Sequence, residues 1–283
     1  MPCFSLDWFQ WVFHSFEWRR TPKRPKGRGG DHLYGADLMY LAAFQGSKKV
    51  MKWLERQRQG IPLNAVIPLN VGMSSSRMFA ATAAAGGGHI EVLEWLKRRG
   101  CKFDGLALEF AAQGGHLKVV HWLRSQDPPC PWGEWPCENA ASGGHLHVLQ
   151  WLRNQNPPCP WDVMTCGVAA ARGHLEIVQW ARSQDPPCPW NESTCGLAAR
   201  GGHLHILQWA RSQDSPCPWD EDTCQFAAEG GHLDILKWFR SQDPPCLGNM
   251  SGCIRAAMGA GHGHIVEWIE KSRKRQQRRG RRR

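Results

Sequence analysis

No stretch of about twenty apolar residues occurs in this 283-residue chain, so no segment reads as a bilayer-crossing helix. Tyrosine is scarce, with 2 copies against 16 tryptophans and 12 cysteines, which points to a few motifs used repeatedly. The opening stretch, MPCFSLDWFQWVFHSFEW, has no basic leader and no small-residue cleavage site. Its first arginines, Arg19 and Arg20, follow the apolar part, the wrong order for a secretory signal. Nor is there a nucleophile at plausible spacing from a base, or a phosphate-cradling glycine loop. Glycine runs such as Gly86 to Gly88 fall between helical patterns and follow no strand. The expectation is a non-catalytic intracellular chain, in cytoplasm or nucleus, with reduced thiols. No cofactor, small-molecule substrate or membrane partner is expected.

Acidic residues are missing from two segments. Arg19 to Gly30 holds six basic side chains and no acid; Lys271 to Arg283 holds nine and no acid. Between them, Asp31 to Glu270 carries a net charge of −3, although the whole chain stands at +10. Attraction to nucleic acid or to an acidic partner is therefore expected at the ends and not in the body.

The body is organised by repetition. Tryptophan recurs at 95, 122, 151, 180, 209, 238 and 268, mostly 29 residues apart, with a histidine six residues before each (His89, His116, His145, His174, His203, His232 and His262). An eighth, degenerate copy spans Leu38 to Gln59, where Ser47 and Trp53 take the two positions. Each copy contains two short helical patterns. In one copy the first runs from Thr223 to Glu229, with Cys224, Ala227 and Ala228 on one face, and the second from Leu233 to Gln242. Gly230 and Gly231 divide them, and Pro244 and Pro245 forbid continuation of the second. Helices this short are not stable alone, so stacked copies must share a core.

The string A-A-x-x-G-H-L-x-x-L-x-W, as in Ala227 to Trp238, resembles the helical signature of ankyrin repeats over about Asp31 to Glu270. The unit is shorter than the family's usual 33 residues, and a Cys–Pro–Trp segment stands in place of the β-turn finger. It looks like the Trp-rich, short-fingered variant common in large DNA viruses and protists. The resemblance implies an all-α, helix-turn-helix solenoid of about eight repeats with reduced hairpin fingers. If the chain is viral, its location would be the host cell. The last copy has one extra residue between Met258 and His262, which the glycines there are expected to absorb in the turn.

Five cysteine pairs share C-x6-C spacing: Cys130/Cys137, Cys159/Cys166, Cys188/Cys195, Cys217/Cys224 and Cys246/Cys253. With the following histidine they suggest a metal set. Zinc knuckles, however, use two to four intervening residues, and Leu108 replaces the second cysteine in one copy. Small-hydrophobe packing is the expected role, and no metal site is expected. The histidines, alike in seven copies, are expected either to cap helix amides or to touch the preceding turn. Burying each helix tryptophan would contribute up to about 5 kcal/mol, from roughly 200 Å² at ~25 cal/mol per Å². The finger tryptophans Trp132, Trp161, Trp190 and Trp219 either cover the core edge or form an exposed aromatic ridge.

Positions that vary from copy to copy are free to recognise a partner. One series precedes the first helix: Glu134, Val163, Glu192 and Glu221; the other ends it: Ser142, Ala171, Arg200 and Glu229. The resemblance implies that both line a concave face. Their mixed chemistry suits a protein partner, and plain solvated surface is the alternative. The tail's Lys271, Arg273, Lys274, Arg275, Arg278, Arg279, Arg281, Arg282 and Arg283 suit nuclear import, a nucleic-acid arm or an acidic partner, or only solubility. Four regions result. Residues 1–18 form an aromatic helix that caps the array or docks elsewhere, 19–30 a basic linker, 31–270 the repeat array, and 271–283 the basic tail. Function is expected to be partner binding by the array; the alternatives are nucleic-acid or acidic-partner association through the ends, or recruitment of a target to a degradation complex.

Overall fold

The computed structural model describes residues 4–17, 33–56, 67–68, 77–78, 80–242 and 249–280. The fold is all-helical; the one β feature among these residues is a two-residue antiparallel pairing of Ile67–Pro68 with Arg77–Met78. The chain divides into two compact units, Met1–Pro136 and Cys137–Arg283.

The first unit opens with α1 (Leu6–Glu17), which packs against α2 (Leu33–Phe44) and α3 (Lys48–Glu55). Phe9 and Val12 of α1 are buried, and Trp8 stacks on Phe4 at 4.1 Å. Trp11 stays 67% exposed, and the side chains of Phe13, Phe16 and Trp18 lie outside the described residues. Two further pairs follow the same plan as α2 and α3, α4 (Ala80–Gly86) with α5 (Ile90–Lys97) and α6 (Gly105–Gln113) with α7 (Leu117–Arg124), and α8 (Trp135–Ser142) begins at the end of this unit. First helices lie side by side, α2 on α4 and α4 on α6, while each second helix packs on its own partner.

The second unit continues with α9 (Leu146–Arg153), α10 (Val163–Arg172), α11 (Leu175–Arg182), α12 (Glu192–Gly201), α13 (Leu204–Arg211), α14 (Glu221–Gly230), α15 (Leu233–Ser241), α16 (Met250–Gly259) and α17 (Gly263–Gly280). Again α10, α12, α14 and α16 lie in sequence, each against the next. The first helices are narrow because Ala and Gly face their neighbours. Ala169, Ala170, Ala198, Ala199, Ala227 and Ala228 are buried, and a Cβ on Gly196 would lie 2.7 Å from the Phe226 ring. The second helices bury Ile177, Val178, Ile206, Leu207, Ile235 and Leu236.

Local chemistry sets the helix ends. Asp220 accepts from the Thr223 amide while Thr223 Oγ1 accepts from the Asp220 amide, and Asn191 and Thr194 make the same reciprocal cap. This cap starts α14 at Glu221, two residues before the periodicity alone predicts. At the other end Gly173, Gly202 and Gly231 take φ of 81–85°, a left-handed turn closed by the following histidine's amide on the alanine carbonyl five residues back.

The extra residue of the last copy is not absorbed in the turn. Gly261 (φ 81°) and the His262 amide on the Ala257 carbonyl keep the same closure. Ala260 adds a right-handed residue before it, so the helix lengthens instead. A tight turn has one workable geometry, whereas a helix accepts one more residue at little cost.

Candidate functional site

The histidines do not cap amides. At the start of α5, α7, α9, α11, α13 and α15 the histidine side chain makes no capping bond. The ring reaches back to the previous copy instead. Nε2 of His89, His116, His174, His203 and His232 bonds the carbonyls of Phe44, Gly86, Ser142, Ala171 and Arg200 at 3.0–3.2 Å. A carbonyl only accepts, so Nε2 carries the proton in each. Burial pushes His116 and His203 below the ordinary imidazole range, against the raising effect of those carbonyl bonds.

The tryptophans are less buried than the periodicity predicts. Trp95 is 8% exposed, but Trp122, Trp151, Trp180, Trp209, Trp238 and Trp268 are half-buried, so the upper-bound burial energy is not reached. The connecting segment folds back over them. Trp161, Trp190 and Trp219 meet Trp180, Trp209 and Trp238 edge-on at 5.7–6.0 Å between ring centroids. Trp132, Trp161, Trp190 and Trp219 are themselves half-buried, each under a guanidinium: Arg124, Arg153, Arg182 and Arg211 lie 3.8–4.1 Å from the ring centres. Each ring is thus held against an arginine and keeps part of its surface open.

The same arginines donate to the carbonyls of Cys130, Cys159, Cys188 and Cys217 at 2.6–2.9 Å. Residue-type reasoning missed them. The signal was present, since an arginine stands two residues after the helix tryptophan in five copies, at 124, 153, 182, 211 and 240. Gln126, Gln155, Gln184, Gln213 and Gln242 close the same helix ends by donating to the carbonyls of Trp122, Trp151, Trp180, Trp209 and Trp238.

Ten described cysteines are free and buried. Burial pushes the Cys130 thiol up to about 12 and Cys253 to about 11. Cys130, Cys188 and Cys217 donate to the carbonyls of Asp104, Asp162 and Asn191 in the preceding copy at 3.0–3.4 Å. They pack as small apolar groups with one weak donor. Among the described residues no group of three or more His, Cys, Asp or Glu gathers as a metal set. Cys246 lies outside the described residues.

The copy-variable positions are the candidate contact surface. Glu134 is exposed just before α8; Glu192 and Glu221 are exposed first residues of α12 and α14; Val163, first in α10, is half-buried. At the helix ends Ser142, Ala171 and Glu229 are half-buried and Arg200 is exposed. Within α12, Glu192 and Arg200 are eight residues apart, about 12 Å along the axis and about 80° around it. They therefore share one flank. Arg200 and Glu229 pair across neighbouring copies at 2.7 Å. The main chain at Ser142, Ala171 and Arg200 is fixed as a histidine acceptor while the side chains change.

At the C-terminal side, α17 runs unbroken through the expected boundary at 270/271. Lys271 pairs with Glu267 one turn back, and Arg273 is exposed. The side chains of Lys274, Arg275, Arg278 and Arg279, the residues Arg281, Arg282 and Arg283, and the 19–30 segment lie outside the described residues. No described helix is long and apolar enough to cross a membrane. No family model matches the chain, and no curated protein matches it either.

Proposed function

We propose that the chain is a non-catalytic scaffold of ankyrin-like repeats that holds a protein partner on the flank carrying Glu192, Arg200, Glu221 and Glu229. One observation carries this reading. Histidine, arginine, tryptophan and cysteine are spent on contacts repeated from copy to copy, while the variable residues stand at exposed or half-exposed ends of the first helices. Constant frame and variable rim is the division of labour expected of a recognition array. Ten free thiols suit a reducing compartment, cytoplasm or nucleus.

The test is affinity capture with the full chain against a variant carrying Ala at 192, 200, 221 and 229. Loss of specific partners from the variant supports the reading; an identical set of recovered proteins removes it. A second reading places function in the basic ends, favoured by the continuous helix α17. It predicts retention on immobilised polyanion that weakens steeply with salt and disappears when Lys271–Arg283 is deleted. No retention at low salt would dispose of that alternative.

A further inference from the structure

The first helices of the second unit present a face that the repeated contacts leave open. In α12, Ser193, Leu197 and Arg200 stand four and three residues apart, so they share one side, opposite the buried Cys195, Ala198 and Ala199. The same positions hold Met164, Val168 and Ala171 in α10, and Asp222, Phe226 and Glu229 in α14. All nine are exposed or half-buried. Because α10 lies against α12 and α12 against α14, Val168, Leu197 and Phe226 make one row across three helices. Leu197 leans over Gly167 and Phe226 over Gly196: a Cβ on either glycine would fall 3.1 or 2.7 Å from the neighbouring side chain. The row is therefore a low apolar floor, continued at one side by Met164, 37% exposed.

Packing alone does not require apolar residues in this row. Asn139 and Arg255 hold the same position in the copies on either side. The charges around the row are also sorted. Glu192, Glu221 and Asp222 are exposed along one edge, in the first turns of α12 and α14. Arg200, on the other edge, is paired with Glu229, and Arg255 on α16 ends the row. Spacing selects the conformation of a ligand. Packed helices lie about 8–10 Å apart, and the row repeats once per helix. A helix returns to the same side after seven residues, about 10.5 Å, so a slightly tilted helix meets each member of the row. A strand repeats on one face every ~6.6 Å and falls out of step.

We propose that this row seats one amphipathic helix of a partner protein. The helix places apolar side chains at i, i+7 and i+14 on Val168, Leu197 and Phe226, and Lys or Arg on the flank facing Glu192, Glu221 and Asp222. This rests on the reading of the array as a recognition scaffold and specifies what it recognises. Charge complementarity fixes the sign of the partner's flank, and the apolar floor supplies the anchoring contacts. The chain's own basic tail does not qualify, because Lys271–Arg283 contains no large apolar residue.

The test is selection from a displayed library of random 22-residue peptides on the immobilised full chain, followed by fluorescence anisotropy of synthetic peptides from the selected set. Selected peptides should be helical when bound, by circular dichroism, with apolar residues seven apart and Lys or Arg on one flank. Leu197→Asn and Phe226→Arg, which introduce residues already used at this position, should each weaken binding by about tenfold. Glu221→Gln with Asp222→Asn should weaken it by about threefold and flatten its salt dependence. Gln208→Ala, an exposed position on α13, should change nothing. Circular dichroism checks that each variant is folded. A selected set that is extended, acidic or without the seven-residue pattern overturns the proposal, and so does recovery of no peptide. Binding unaffected by both row variants, or equal binding of the peptide KSRKRQQRRGRRR, does the same, since charge alone would then suffice. These outcomes leave the broader scaffold reading standing, which falls only if the fourfold alanine variant recovers an identical set of proteins.

Discussion

The imidazole of His203 lies against the backbone of Gly173 in the preceding copy: a Cβ built on that glycine would fall 2.7 Å from His203 Cε1. Gly173 also holds φ at 85°, so two independent constraints demand glycine there. Gly173→Ala should destabilise by about 1–3 kcal/mol from backbone strain, and more if the ring is displaced. Gly259→Ala, where a methyl meets open space at a helix end, should be neutral or slightly stabilising. Urea unfolding of both variants checks the contrast, and equal midpoints would contradict it.

Acid should loosen the joints. The folded-state values of His116 and His203 are lowered by burial, so the unfolded chain takes up protons first as pH falls. Their contribution is fully present above about pH 6.5 and is lost as pH drops below it. The unfolding midpoint should decline between pH 7.5 and about 5, and less steeply in His203→Gln. A slope unaltered by that substitution would exclude His203 as a source.

Arg182 combines a ring contact and a carbonyl bond, 4.1 Å over Trp190 and 2.7 Å from the Cys188 oxygen. Arg182→Ala should cost about 1–3 kcal/mol, the sum of a neighbourly cation–π contact and one charge-assisted bond. Arg182→Lys should recover part of it, since an ammonium cannot present a planar face and a fork together. Chemical denaturation followed by tryptophan fluorescence reads both, and an alanine variant of wild-type stability would refute the role.

Two threonines at equivalent positions should respond in opposite ways. Thr223 Oγ1 completes the cap with Asp220, whereas Thr165 Oγ1 is buried and, among the described residues, has no hydrogen-bond partner. Thr223→Val should cost about 1 kcal/mol, and Thr165→Val should be neutral or stabilising. Thermal unfolding of the two variants decides it; a loss at 165 as large as at 223 would show that Thr165 is satisfied after all.

Much of the frame is legible in the sequence because helix pairs leave a period. Tryptophan and histidine spacing, the dividing glycines and the apolar stripes place α14 and α15 to within two residues. What one dimension does not show is who meets whom. His203 and Ala171 are 32 residues apart, so constancy marks the ring as structural without naming its acceptor. The helix tryptophans read as fully buried because a helical wheel omits the segment folding back from Trp161 or Trp190, which leaves each ring a shared and partly open edge. The arginines do not stand out in the sequence because a charged residue near a helix end reads as solvated. The Arg200–Glu229 pair joins adjacent copies, and per-copy alignment records it only as variation.

The histidine joint is directional: in each joint the later copy supplies the ring and the earlier copy supplies the glycine that receives it. Rings seat on Gly46, Gly88, Gly144, Gly173, Gly202 and Gly231, but around Gly261, which has the same left-handed backbone, a built Cβ meets nothing within 4 Å. Gly261 thus repeats the receiving backbone without a ring against it among the described residues. A further 29-residue unit spliced after α17's first two turns would find its receptor already shaped, which makes elongation from that side a matter of copying and not of redesign.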